Sequence, residues 1–134
     1  MGLDMYLFRQ KKFREGDDAY NKLVRETSEE VMYWRKANQI RGWLVEHKII
    51  RDDDNCTDRY VTVENLRNLL DDCKKVLEDH SLAESLMPCT SGFFFGGKDY
   101  DEWYFEDLQE TVDKLQPIVD KADENDHFIY SDWW

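Results

Sequence analysis

No stretch of the 134 residues approaches the roughly 18 consecutive apolar side chains that a membrane-spanning helix needs. Residues Met1 to Lys12 alternate polar and apolar instead of forming a signal-peptide core, so the expectation is a protein of the cytoplasm with no membrane partner. Cysteine is scarce: Cys56, Cys73 and Cys89 are odd in number and widely spaced. That pattern fits neither a disulfide framework nor a paired zinc knuckle and points to reduced, structural thiols. The histidines, His47, His80 and His127, each lack a second histidine or a cysteine at zinc spacing. Cys73 and His80, seven apart, would stand two turns apart on one helix face, too distant to share a metal. Neither a metal nor a cofactor is expected. Basic charge is also short, with 18 Lys and Arg against 30 Asp and Glu and a net charge of −12. Most of such a surface repels a phosphate backbone, which argues against direct nucleic-acid binding.

What is present describes one folded domain. Hydrophobic residues make up 41% of the chain and aromatics 14%, enough to build a core despite 36% charged residues. Leu3, Met5 and Leu7 alternate with Asp4, Tyr6 and Phe8, which predicts a first strand over Leu3 to Arg9. Lys11 to Gly16 reads as a loop and Asp17 to Glu26 as a short helix. Ser28 as N-cap, Glu29 and Glu30 in a first turn, and Tyr33, Ala37, Ile40, Leu44 and His47 at helical spacing predict a helix over Glu29 to Glu46. After a polar loop at Arg51 to Arg59, Tyr60 to Val63 reads as a short extended piece. Thr62 then caps a helix whose apolar face is Val63, Leu66, Leu69, Leu70, Cys73, Val76 and Leu77. Ser81 to Met87 reads as a further helical turn, and Phe93-Phe94-Phe95-Gly96-Gly97 as an extended stretch entering a glycine turn. Trp103, Leu108, Val112, Leu115 and Val119 mark a long helix from Tyr100, which Pro117 is expected to kink or restart. His127 to Trp134 closes the chain as a strand pairing antiparallel with the first. The predicted class is α+β: a small antiparallel sheet containing both terminal strands, packed with about three helices.

Charge placement gives the strongest functional signal. Residues 1–50 carry ten Lys and Arg against eight Asp and Glu, whereas residues 99–126 carry eleven acids against two lysines. Asp99, Asp101, Glu102, Glu106, Asp107, Glu110 and Asp113 are interleaved with Tyr100, Trp103, Tyr104 and Phe105 and suit an acidic recognition surface. An ordinary solvated helix face is the simpler reading of such a run. Trp34, Arg35, Lys36 and Asn38 form a second candidate partner surface, an indole beside guanidinium and ammonium groups, set against the commoner packing of tryptophan in a core. Two other patterns carry less. Asp52 to Asp58 presents acids as a calcium loop does, but the sixth and twelfth positions hold Thr57 and Val63 instead of glycine and glutamate. Gly96-Gly97-Lys98 lacks the spacing and the hydroxyl of a phosphate loop and is followed by Asp99 and Asp101.

Met1-Gly2-Leu3-Asp4-Met5-Tyr6-Leu7, Tyr33-Trp34-Arg35-Lys36-Ala37-Asn38, Phe93-Phe94-Phe95-Gly96 and Tyr100-Asp101-Glu102-Trp103-Tyr104 together give the chain its character. In these words it resembles a family of small uncharacterised proteins encoded by bacteriophages and prophages. The resemblance implies expression in a bacterial host cytoplasm and a role as an inhibitor of a host defence or nucleic-acid-handling protein, of the anti-CRISPR or DNA-mimic class. It carries no catalytic residues. The expectation is a non-enzymatic module that binds a host protein with a basic surface. The alternative is a small-ligand-binding protein or small enzyme with a pocket gathering Trp34, Arg35, Asn38, His47 and Trp103.

Overall fold

The computed structural model describes residues 2–11, 29–90, 100–123 and 126–134. The loop and helix expected over 11–26 and the Phe93 to Lys98 stretch lie, apart from Lys11, outside the described residues. Four strands form one antiparallel sheet in the order β2-β1-β4-β3: β1 (Asp4–Lys11), β2 (Glu29–Arg35), β3 (Arg59–Val61) and β4 (Asp126–Trp133). The two terminal strands pair through eight residues, from Asp4 opposite Trp133 to Lys11 opposite Asp126. This is the α+β sheet the sequence predicts. Four α-helices accompany it among the described residues: α1 (Asn38–Glu46), α2 (Val63–Glu78), α3 (Ala83–Leu86, after a 3₁₀ turn at His80–Leu82) and α4 (Glu102–Lys121).

One face of the sheet supplies the core. Leu3, Met5 and Leu7 of the first segment, Met32 and Trp34 of β2, and Phe128 and Tyr130 of β4 are all buried, as the two-residue period of a strand requires. Against them pack Ile40, Trp43 and Leu44 of α1, the Leu66, Leu69, Leu70, Cys73 and Val76 stripe of α2, and Tyr104, Leu108, Leu115 and Val119 of α4. Burial pushes the Cys73 thiol well above its usual range, consistent with a structural cysteine. The α2 start follows the expected chemistry: the Asn65 amide donates to the Thr62 hydroxyl at 3.0 Å and the Asn65 side chain accepts from the Thr62 amide at 3.0 Å, a reciprocal capping box.

The expected helix over Glu29 to Glu46 is corrected: its first seven residues are strand β2 and only Asn38–Glu46 is helical. Two periodicities overlap here. Tyr33, Ala37, Ile40 and Leu44 fit a helix, but Met32 and Trp34, two apart, are the buried pair, flanked by exposed Tyr33 and Arg35. Pairing with β1 decides between them, and Lys36, at φ 56°, breaks the chain between strand and helix. Its amide still donates to the Leu3 carbonyl at 2.7 Å. The β1–β2 register also shifts: Leu7 opposes Met32 and Phe8 opposes Glu30, which leaves Val31 as an extra residue in β2. At Pro117 the helix neither stops nor restarts; α4 runs through it to Lys121. The proline removes one amide, a local loss that the packing of Leu115 and Val119 outweighs.

A buried polar clasp ties α1, the 51–56 loop and β4 together. The Arg41 side chain is 2% exposed, and its Nε donates to Asp132 Oδ2 at 2.8 Å. Its Nη2 donates to the carbonyls of Asp52 and Asp54 at 2.9 and 3.0 Å, and its guanidinium lies 5.5 Å from the centre of the Trp134 ring. Tyr130 Oη donates to the same Asp132 oxygen at 2.7 Å. The Asp54 carboxylate takes both Arg59 donors at 2.8 Å, and the Trp134 indole donates to the Asp54 carbonyl at 2.8 Å. Of the aspartates that resemble a calcium loop, Asp54 is thus used internally while Asp52, Asp53 and Asp58 are exposed, and among the described residues no group of three or more His, Cys, Asp or Glu is placed to hold a metal ion. Arg41→Met strands a buried carboxylate and is expected to lower unfolding free energy by about 3–5 kcal/mol in urea denaturation. Adding Asp132→Asn to that variant should recover part of the loss. If the double variant loses the sum of both single effects, the two groups are not coupled.

Candidate functional site: the acidic face of helix α4

Helix α4 separates its two faces by chemistry. Tyr104, Leu108, Thr111, Leu115 and Val119 turn inward, whereas Glu102, Trp103, Glu106, Glu110, Asp113 and Asp120 are exposed. Asp101 caps the helix by accepting from the Tyr104 amide at 3.1 Å, and Asp101 with Glu102 meets the positive end of the helix dipole. Along the outer face Lys114 offsets Glu110 at 2.8 Å, and Gln109 donates to Asp113 at 2.9 Å. Glu102, Glu106, Glu110 and Asp113, spaced at three and four residues, form one stripe. Trp103 stands at the edge of that stripe, 68% exposed, with Glu106 and Asp107 one turn further along the helix.

Asp107 differs from its neighbours. It sits at the boundary of the two faces and accepts from Gln39 Nε2 at 3.2 Å. Partial burial pushes its carboxyl up to about 6, helped by the negative charges of Glu110, Glu106 and Asp101 and opposed by the Gln39 hydrogen bond. Gln39 also reaches the Tyr104 carbonyl at 3.3 Å. Trp34 Nε1 donates to the Thr111 hydroxyl at 2.8 Å, and that hydroxyl donates to the Asp107 carbonyl at 2.6 Å. Tyr104 Oη donates to the Met87 carbonyl at 2.6 Å. Through these bonds β2 and α1 fix the rotation of α4 and hence which carboxylates face solvent.

The candidate residues therefore divide. Glu102, Glu106, Glu110 and Asp113 share an accessible face; Asp101 and Asp107 have structural duties beside it; Asp99 lies outside the described residues. Of the second patch, Arg35 and Lys36 are exposed, but Trp34 is core. Asn38 is buried, its Oδ1 accepting from the Thr90 amide at 3.0 Å and its carbonyl from the Thr90 hydroxyl at 3.2 Å. This junction also leaves no room for a side chain at Gly42, which faces the Thr90 methyl. The patch spans the end of β2, the turn at Lys36 and the first residue of α1, and does not form a continuous surface of four residues. The five residues of the alternative pocket stand in different settings: Trp34 and Asn38 are buried, His47 is exposed and stacks on Trp43 at 3.9 Å, and Trp103 projects into solvent. Two surface concavities, of about 240 Å³ between α2 and α4 and about 380 Å³ beside β3, have other walls.

Sequence reasoning missed Gln39 and Thr111, the residues that set the pose of α4. Thr111 carried a signal, a hydroxyl on the apolar stripe between Leu108 and Leu115. No helix among the described residues is long and apolar enough to cross a membrane. No protein-family model, curated protein or solved structure matches the chain.

Asp107 makes stability depend on pH. Its folded value of about 6 lies above the usual 3.8, so between those values the folded state binds more protons and stability falls as pH rises. Asp54 acts in the opposite sense: Arg59 holds its carboxyl near 2, and its contribution is lost as pH falls from about 4 toward 2. Asp107→Asn is expected to raise stability above pH 6 by roughly 1–2 kcal/mol, discounted for partial exposure, and to flatten the curve between pH 4 and 6. Urea denaturation across that range is the check.

Proposed function

We propose that this chain is a non-enzymatic binding protein whose α4 face occupies a basic surface of a host protein. The observation that carries this reading is the exposed Trp103 beside a stripe of four solvent-facing carboxylates, offset along its length by few cations. A large apolar ring in a charged surface supplies the desolvated anchor that hot spots use, and the carboxylates supply orientation and fast encounter. Carboxylates repeated at three and four residues also present negative charge in a row, the property a nucleic-acid-binding surface selects. The resemblance to phage-encoded proteins supplies the biological setting, inhibition of a bacterial defence or nucleic-acid-handling protein.

A tagged chain incubated with nuclease-treated bacterial lysate is expected to retain a DNA- or RNA-handling protein that elutes as salt is raised. The fold sets the choice of variants. Replacing Asp101 would disturb a cap and replacing Asp107 would itself change stability, so the surface variant is Glu102→Gln, Glu106→Gln, Glu110→Gln and Asp113→Asn together. It should abolish capture without loss of stability. Trp103→Ala should weaken the purified complex by about 2 kcal/mol, roughly thirtyfold in Kd. Capture unchanged in both variants would refute this face as the binding surface.

A further inference from the structure

The concavity beside β3 holds about 380 Å³ and is walled by the start of α2, the edge of β3 and the side chains of Asp123, Asp126 and His127. Its floor is apolar, formed by Val61, which is buried, and the half-buried Val63. One wall is the Tyr60 ring, 70% exposed, which meets the His127 imidazole edge to face at 6.4 Å. Glu64, Asp123 and Asp126 line the remainder. Glu64 stands 3.9 Å from Arg67, and Asp126 accepts from the Asp123 amide at 3.1 Å. His127 Nε2 is enclosed yet has no hydrogen-bond partner among the described residues. A buried ring nitrogen left in this way costs free energy unless something completes it.

Together these features specify a ligand. Three carboxylates on the lining reject anions and draw cations; an aromatic face attracts a desolvated ammonium; an apolar floor accepts a short hydrocarbon stem. We propose that this concavity binds a primary ammonium on an alkyl stem, the chemistry shared by a partner's lysine side chain and a free polyamine. The site is separate from the α4 face, so its failure would leave that reading standing.

The test is an NMR titration of the intact chain with n-butylammonium, with n-pentanol as a neutral alcohol one carbon longer and putrescine as the diamine. Saturable shifts confined to Tyr60, Val61, Glu64 and His127 are expected with n-butylammonium, at a Kd on the order of millimolar as befits so small a ligand. Pentanol should leave those residues in place, and Tyr60→Ala or Glu64→Gln, both at exposed side chains, should weaken binding several-fold while the remaining spectrum is unchanged. Putrescine binding at least tenfold tighter than n-butylammonium assigns the site to free polyamines; equal or weaker binding assigns it to a lysine side chain. Equal response to pentanol, shifts that do not saturate and spread along α4, or no shift at all would each overturn the proposal.

Discussion

The structure depends on a charge that has no access to water. Arg41 enters the interior from α1 and must find acceptors for its donors there; it finds them in Asp132 of β4 and in carbonyls of the 51–56 loop. A guanidinium buried without those partners would cost several kcal/mol, so loop, helix and final strand are forced into one arrangement or none. One of the loop's own acids then has a reason to be where it is. Asp54 turns its carboxylate to Arg59 and its carbonyl to Arg41 and Trp134, so that one residue closes three contacts. With β4 fixed, β1 has a partner on each side and the sheet is complete.

The orientation of α4 follows from the same frame by neutral polar groups. Trp34, held in the sheet, reaches Thr111; Gln39, at the start of α1, reaches Asp107 and the Tyr104 carbonyl. These bonds act as a rotational stop. A helix held by leucines alone could roll by a fraction of a turn at little cost, and the carboxylates would then present a different row. Asp107 bears the strain of this arrangement, since it lies where a charged helix face meets the core and part of its hydration is removed.

The fold was largely legible in the sequence because its elements have clean periods. Alternation in Leu3 to Phe8 and in Phe128 to Tyr130 gave the two terminal strands, and the three-four spacing from Val63 to Leu77 gave α2. The failure at Glu29 to Arg35 has a specific cause. Tyr33 and Ala37 are four apart and satisfy a helix, while Met32 and Trp34 are two apart and satisfy a strand; only the long-range pairing with β1 selects between them. The acidic face was visible as composition, but not which acids are structural, because Asp107 and Glu106 are adjacent in sequence and differ through burial at the edge of the core and through the bond from Gln39, 68 residues away. The Arg41–Asp132 pair spans 91 residues and leaves only a faint trace, a carboxylate two positions after buried Tyr130 on the inward face of a strand.

The extra residue in β2 bears on how this protein behaves when crowded. β2 is one edge of the sheet, and an edge strand with regular hydrogen-bonding groups is a template on which further chains can add. At Val31 the repeat is broken, and Glu29 and Glu30 follow on the exposed end of the same strand. An incoming strand would lose its register at the irregularity and meet two carboxylates beside it. The opposite edge, β3, is only three residues long and offers little to copy. Neither margin of the sheet therefore offers a ready template for cross-β fibres.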